Sequence, residues 1–419
     1  MYGTCIRQNI QKPSNFFLSG IHSACMIVIK LLFCLLFIYL AVSTVYLLVI
    51  AIAGRLGNLP VYHLHAVKKR IAVIIPCYKE DAVIVDTARN AIAHNYPSEN
   101  FRVVIVADKL QAETLRCLRQ LPVSLLEADL DMKSRSVHAA LQYLDENDFD
   151  IAMILDADNV MGVDCLEKIN DAFHLGCLAV QCHRTAKNQQ TSIAILDALS
   201  EEININLFRR GPAVLGISAA PAGSGMAFTF DLLKQIFSTP RILASPAEDR
   251  EIDLHLMQQK IFMHFIDDAY VYDEKVSSKG VFEKQRVRWL EAQLNHLKRF
   301  FDDDIKTSPK TITYYTRFFQ NFILPRLLLL MLLGSLFILL CFQVFFSFNI
   351  LAPAPLLWLS LVAIYAMVLL LSVPRSFYTV RSFRALASIP SLMFAMLKAV
   401  LKMKANRKEF LHTPKVFKP

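Results

Sequence analysis

The chain has 419 residues, 54% of them hydrophobic and only 19% charged, with a mean hydropathy of +0.38. That is too apolar for an ordinary soluble enzyme. The net charge of +9 gathers near the apolar segments and in the tail, which suits an anionic membrane surface and argues against a nucleic-acid partner. Nine cysteines without a C-x-x-C pair read as reduced, buried thiols of a cytosol-facing protein, with Cys177 and Cys182 on either side of a predicted strand.

The first strong element is the uncharged run from Leu31 to Ala53. At about 1.5 Å per residue it crosses a ~30 Å hydrocarbon core. Ala51-Ile52-Ala53 resembles a signal-peptidase site, but the run is too long for a signal peptide, so an uncleaved anchor is expected. Residues 1–25 are a weakly polar lead-in to it.

From about residue 60 the composition becomes that of an α/β domain. Residues 71–76 and 101–107 read as strands, the second closed by Asp108, and residues 81–94 and 133–144 read as helices. Strands alternating with helices of this length predict a mostly parallel sheet. Residues 151–155 form a further buried strand, and Asp156, Ala157 and Asp158 follow where it leaves the sheet. Ligands of open α/β sheets bind at that end. Two carboxylates one residue apart can hold Mg2+ or Mn2+ through hard oxygens, with substrate phosphates completing the shell. The plainer alternative is an acidic turn capping the next helix. However, Asp164 and Glu167 already make a D-x-x-E capping box there.

Three further stretches carry chemistry, each beside a plainer reading. Pro76-Cys77-Tyr78-Lys79-Glu80 sits where a nucleotide would enter, or is a Pro-containing turn. Glu248 and Asp249 open a helix, as catalytic acids or as partners of its dipole. Gln285-Arg286-Val287-Arg288-Trp289 begins a helix with Leu290, Leu294, Leu297 and Phe301 on one face, and its arginines also fit a solvated interfacial face.

The order and spacing of these stretches decide between the readings. Asp108, the Asp156/Asp158 pair, Glu248-Asp249 and Gln285-x-x-Arg288-Trp289, followed at once by apolar spans, resemble the family 2 glycosyltransferases. Within them the chain looks like the membrane branch of cellulose, chitin, hyaluronan and poly-N-acetylglucosamine synthases. The resemblance covers residues 68–300, and Gln-x-x-Arg-Trp is its most specific part. It implies a GT-A α/β domain, a nucleotide-diphosphate sugar as donor, and Mg2+ or Mn2+ on Asp156 and Asp158. By the same resemblance Asp108 meets the base, and Pro76, Tyr78, Glu80, Lys133 and Asp156 belong to the donor site. Asp249 matches the general base, with Glu248 beside it as a catalytic residue, Gln285 and Arg288 face the diphosphate, and Trp289 faces the acceptor sugar. Two departures stand out: Ala247 precedes Glu248 where many relatives have Thr, and Lys79 stands where Asn is common.

Residues 327–346 and 356–373 are each long enough to span a bilayer. Residues 385–401 are interrupted by Pro390 and charged by Lys398, so they are expected to lie on the membrane. Phe410-Leu411-His412-Thr413-Pro414-Lys415 resembles the F-x-x-T-x-K gating loop of cellulose synthases, an ordinary basic tail being the alternative. The expected organisation is an anchor over 1–59, a GT-A domain over 60–284, an interfacial region over 285–320, two spans over 321–374 and a basic tail over 375–419. The expected protein is an inverting, metal-dependent transferase of an inner or plasma membrane, its catalytic domain facing the cytosol. Its acceptor would be a glycan or a lipid, with a membrane export partner or a second copy as further company. The runner-up is a ceramide-glucosyltransferase-like enzyme adding one sugar to a lipid. An inactive scaffold is the reading from another class, and the intact acidic motifs argue against it.

Overall fold

The structure is a computed structural model and describes residues 14–348 and 350–404. Helix α1 (Ser14–Leu56) leads into an alternating segment of β1 (Ile71–Tyr78), α2 (Ile84–Ile92), β2 (Phe101–Asp108), α3 (Ala112–Arg119), β3 (Ser124–Ala128), α4 (Lys133–Tyr143) and β4 (Ile151–Ile154). Next come β5 (Val160–Met161), α5 (Cys165–His174), β6 (Ala179–Ala186), α6 (Ser192–Ile205), a π-helical turn (Asn206–Arg210) and α7 (Gly211–Val214). They are followed by β7 (Met226–Thr229), α8 (Phe230–Phe237), α9 (Pro240–Leu243), α10 (Glu248–Gln258) and β8 (Met263–Asp273). The remainder is helical: α11 (Lys279–Arg299), α12 (Asp303–Lys306), α13 (Ile312–Phe322), α14 (Arg326–Phe345), α15 (Pro355–Ser372), α16 (Val380–Ala385) and α17 (Ile389–Leu401).

The described chain falls into two compact units. One takes α1 as far as residue 48 with residues 329–368, and the other takes residues 49–328 with those from 369 onward. In the first, Phe33 and Phe37 set their edges against Trp358, with ring centroids 6.5 and 5.1 Å away. Gln343 Oε1 accepts from the backbone N–H groups of Ile350 and Leu351 at 2.9 and 2.7 Å, which satisfies the turn that follows α14.

The second unit is built on one eight-stranded sheet ordered β3-β2-β1-β4-β7-β6-β8-β5. Strands β3, β2, β1 and β4 run parallel, with Ile71 opposite both Phe101 and Ile151. Both faces of β1, of β4 and of β2 from Val103 onward are buried, which is why they read as unbroken apolar runs. One face packs on α2 and α5 through Ile84, Ala88, Leu166 and Ile169. The other packs on α4 and α8 through Val137, Leu141, Leu233 and Ile236. Strand β7 enters antiparallel between β4 and β6. The C-terminal ends of β1, β2 and β4 therefore open on one side.

Several local expectations are corrected. Helix α2 starts at Ile84 because residues 80–83 form a turn, with the Val83 and Ile84 N–H groups on the Glu80 carbonyl at 3.2 Å. Asp164 is the N-cap of α5, but its side chain makes no capping bond, and Glu167 is drawn away to the Lys68 ammonium. Cys182 lies inside β6 and does not flank it; every described cysteine is free. Gln285 falls inside α11, six residues after its start at Lys279, since Ser278 caps the helix by accepting from Val281 N. Of the apolar face expected there only Leu290 is buried, while Leu294 and Phe301 are exposed.

Among the described residues, four helices are long and apolar enough to cross a membrane: Ala24–Leu56, Arg326–Phe345, Pro355–Ser372 and Val380–Leu401. The last includes the segment expected to lie on the surface. Within it, α17 packs Met396 and Ala399 on Val287 and Leu290 of α11, and Leu392 and Ala395 join Ile195, Leu196 and Phe282. Its opposite side exposes Phe394 and Leu401. Residues 410–415 lie outside the described residues.

The last turns of α1 meet the π-helical turn and the start of α7 at two glycines. A Cβ on Gly54 would stand 2.7 Å from Asn206 Oδ1, and one on Gly211 would stand 2.5 Å from the Ile50 carbonyl oxygen. The Arg210 Nε donates to the Gly54 carbonyl at 2.6 Å, capping α1 where its own carbonyls run out. Gly211→Val should therefore lower the unfolding temperature in detergent, at a cost of roughly 1–3 kcal/mol from overpacking. Gly280→Ala, where a Cβ meets nothing within 4 Å, should not.

Candidate active site

Asp108 ends β2 directly beside Tyr78, the last residue of β1. Its carboxylate is fully buried, and Oδ2 accepts from the N–H groups of Leu130 and Asp131 at 3.2 and 2.7 Å. Oδ1 is buried without a hydrogen-bond partner. Burial pushes this carboxyl up, against the Asp131 and Leu130 N–H donors that pull it down. Among the described residues Oδ1 is thus an acceptor with capacity for one more N–H or O–H donor. Pro76 lies inside β1 opposite Val106, and Glu80 makes the turn after it. Lys79 and Lys109 lie over the Tyr78 ring at 4.8 and 6.0 Å from its centroid.

Asp108, Asp129 and Asp131 lie close enough to hold a cation. That charge is already supplied, because Lys109 Nζ sits 3.0 Å from Asp129 and 2.5 Å from Asp131. The cluster is thus a lysine-neutralised group of carboxylates at the C-terminal ends of β2 and β3. Since β1 separates β2 from β4, Asp108 and Asp156 stand about 10 Å apart at ~4.8 Å per strand.

At the Asp156 end, Ser224 Oγ accepts from Asp156 N at 2.9 Å and from Asn159 Nδ2 at 2.7 Å, fixing the turn after β4. Lys133, the first residue of α4, places its ammonium 2.6 Å from Asp156 Oδ1, 3.1 Å from Glu248 Oε1 and 2.6 Å from the Gly223 carbonyl oxygen. Burial works against the charge on Lys133, but Asp156 and Glu248 hold it above the ordinary lysine range. Burial likewise pushes the Glu248 carboxyl up, against the pull of Lys133. Asp249 stands beside this cradle: a Cβ on Gly223, whose φ is +84°, would lie 3.7 Å from Asp249 Oδ2 and 3.8 Å from Lys133 Nζ. Asp158 is buried, with Oδ2 accepting from Glu274 N at 3.0 Å. The donor set at this end is carboxylate and carbonyl oxygen with no soft ligand, the kind that Mg2+ or Mn2+ takes, and the Lys133 ammonium stands among these oxygens.

Of the α11 residues, Arg288 lies within reach of the charges of this cradle. Burial pushes the Arg288 guanidinium below its ordinary value, and the charges that oppose this are Glu248, Asp156 and Asp249. Gln285 Oε1 is buried without a hydrogen-bond partner. The Arg286 guanidinium lies 4.0 Å from the centroid of the Trp289 ring and stacks it in place.

The sequence model of the family described as "Glycosyltransferase like family 2" matches residues 69–292, more than half of the 419-residue chain. The chain belongs to that family. It is a glycosyltransferase, and its sheet is the GT-A fold. No curated protein matches it. Among solved structures, a mannosyltransferase of Pyrobaculum calidifontis, PcManGT, in complex with GDP-Man and Mn2+, is similar with a TM-score of 0.58 and 16% identity, over 90% of this chain and 98% of that one. S. aureus TarS, residues 1–349, is more loosely similar at a TM-score of 0.40 and 12% identity, over 81% of this chain and 93% of that one.

Behind the transferase site stands a layer of buried ion pairs with no motif of its own. Arg184 donates to Ala222 O at 2.9 Å and to Glu201 Oε1 at 3.1 Å, and Lys275 reaches Asp273 at 2.6 Å. Burial opposes the Glu201 charge, yet Arg184 and Lys275 hold its carboxyl well below the usual range. Asp197 binds Arg286 at 2.5 Å and accepts from Val276 N at 3.2 Å. Gly223, Ser224, Arg184 and Asp197 were not singled out from the sequence. The only signal for the first two is the Ala-Gly-Ser-Gly run at 222–225. Breaking one side of a buried pair costs roughly 3–5 kcal/mol. Asp197→Ala should thus destabilise the transferase by about that much and free Trp289. In a Trp358→Phe background the Trp289 fluorescence should then shift to the red.

Proposed function

We propose that the chain is an inverting, metal-dependent glycosyltransferase that moves a sugar from a nucleoside-diphosphate sugar to a glycan or lipid acceptor at a membrane. The observation that carries this is the oxygen cradle of Asp156, Glu248 and Gly223 around the Lys133 ammonium, with Asp249 and Arg288 beside it. Asp108 would accept from the base, and the span from Asp108 to Asp156 matches a nucleoside lying across β1. Asp156 and Asp158 would hold the ion, which when bound neutralises charge on the departing diphosphate. Lys133 and Arg288 add positive charge at the same group. Asp249 takes the proton from the acceptor hydroxyl, typically worth 10²–10⁴-fold. The hydroxyl oxygen bonds to the anomeric carbon as the bond to the diphosphate breaks on the opposite side. One displacement at that carbon inverts it.

A lipid acceptor is the second reading, favoured by α13. That helix exposes Ile312, Tyr315 and Phe322 while burying Tyr314, Arg317 and Gln320, so its apolar face suits a bilayer surface from which a lipid could enter.

Full-length protein in detergent, given labelled nucleotide sugars, tests the reaction. Asp249→Asn should lose at least 10²-fold in turnover while nucleotide-sugar affinity holds, and Asp158→Asn or excess chelator should abolish transfer. Turnover that persists in excess chelator overturns the metal reading. The measurement that separates inversion from retention is the anomeric configuration of the product.

We further propose that the catalytic domain faces the cytosol, that the N-terminus lies outside and that three of the four candidate spans cross. The packing of α17 on α11 supports leaving Val380–Leu401 at the surface, its exposed Phe394 and Leu401 toward lipid. Cysteines introduced at Lys12 and His412 in a cysteine-free background report this on intact cells. A membrane-impermeant thiol reagent should label position 12 and spare position 412, whereas labelling at 412 would require a fourth crossing.

A further inference from the structure

The reaction needs an acceptor held at Asp249, and Arg250 follows Asp249 on the first turn of α10. Arg250 is partly buried, and its guanidinium makes no hydrogen bond or ion pair with any described residue. The acids that follow it on α10 are committed elsewhere: Glu251 to Arg299 at 3.3 Å and Asp253 to Arg317 at 2.8 Å. Two further side chains nearby have unmet capacity. His296 of α11 is 2% exposed, and neither ring nitrogen has a hydrogen-bond partner among the described residues. Gln320 of α13 is buried, its Oε1 accepting from Arg317 NH1 at 3.2 Å and its Nε2 donating to nothing described.

The three helices that carry these side chains are locked together. The Asp253–Arg317 pair ties α10 to α13, and Gln293 Nε2 donates to the Asn321 and Ile323 carbonyls at 3.2 and 2.8 Å, tying α11 to the end of α13. Arg317 is the shared neighbour, bonded to Gln320 and close enough for its charge to reach His296, as do those of Arg250 and Arg299. Burial and these arginines keep the imidazole neutral, so it donates one N–H. What remains unmet is thus a fork of guanidinium donors, one imidazole N–H with the lone pair of the other ring nitrogen, and one amide NH₂. A set dominated by donors, in a positive field, calls for an oxyanion, and a protonated phosphate oxygen can also donate to the imidazole lone pair. Their origin on three different helices suits a tetrahedral group with several oxygens better than a planar carboxylate.

We propose that Arg250, His296 and Gln320 form an acceptor subsite for a phosphate group. The inference rests on the reading of Asp249 as base, because the phosphate anchors the acceptor while a separate hydroxyl of the same molecule meets Asp249. The chemistry is that of a phosphodiester or phosphomonoester headgroup bearing a free hydroxyl. The exposed apolar face of α13, which carries Gln320 on its inner side, points to a lipid as the bearer.

The test measures binding and transfer separately, so that the subsite and the base assignment can fail independently. Full-length protein in a neutral detergent is dialysed against radiolabelled orthophosphate, then challenged with mixed micelles of phosphatidylglycerol or of diacylglycerol. Orthophosphate should bind, and phosphatidylglycerol but not diacylglycerol should displace it. Binding without displacement by either lipid assigns the group to a soluble phosphate and overturns the lipid bearer. Arg250→Gln and Gln320→Ala should each weaken phosphate binding at least ten-fold, Arg250→Lys should weaken it less, and the exposed control Arg135→Gln should leave it unchanged. Nucleotide affinity should move less than two-fold in all four, which excludes misfolding as the cause. Equal binding by wild type and Arg250→Gln, or no phosphate binding at all, overturns the subsite. In transfer assays the Arg250→Gln change should appear in the acceptor KM, against a loss of kcat for Asp249→Asn.

Discussion

The Lys133 ammonium, shared between Asp156, Glu248 and the Gly223 carbonyl, is the contact on which the transferase site depends. It joins the start of α4, the turn after β4, the loop before β7 and the start of α10. Several carboxylates crowd into a space where burial raises the cost of each charge. Without a cation among them Asp156, Glu248 and Asp249 would repel one another, and α10 could not sit against β4. The cation thus serves folding and also prearranges the oxygens for the positive and negative groups of a reaction.

Electrostatic balance extends outward in pairs. Arg184 with Glu201, Lys275 with Asp273, Arg286 with Asp197 and Arg317 with Asp253 are each buried or nearly so. A buried pair gives little net stability, but removing one partner is costly. Such pairs therefore fix geometry more than they add free energy. Arg286 is the clearest instance, since the same guanidinium that answers Asp197 also carries the Trp289 ring. Arg250 breaks the pattern, as a cation next to Asp249 with no carboxylate of its own among the described residues.

Around the domain, apolar surface remains on one side of α13 and of α17, while their other sides are spent on the domain. A helix whose two faces are both apolar but covered by different media reads in sequence like a weak span. This is why Val380–Leu401 has the length and hydropathy of a crossing helix and yet packs on α11.

The sequence by itself determined the alternation of strands and helices, the apolar runs and the order of the acidic and Gln-x-x-Arg-Trp motifs. Each of these is written in local periodicity or in residues a few positions apart. Even so, the Asp164/Glu167 box failed, because Lys68 outcompetes the backbone for Glu167. Only the tertiary structure decided which charge answers which. Nothing in the spacing marks Lys133 as the partner of both Asp156 and Glu248, Asp197 as the partner of Arg286, or Asp158 as turned toward the Glu274 N–H. A charged side chain carries no directional signal in sequence, since any acid can pair with any base that folding brings within reach. The choice is made when the sheet order sets the strand ends side by side and burial removes the water that would otherwise have answered each charge alone.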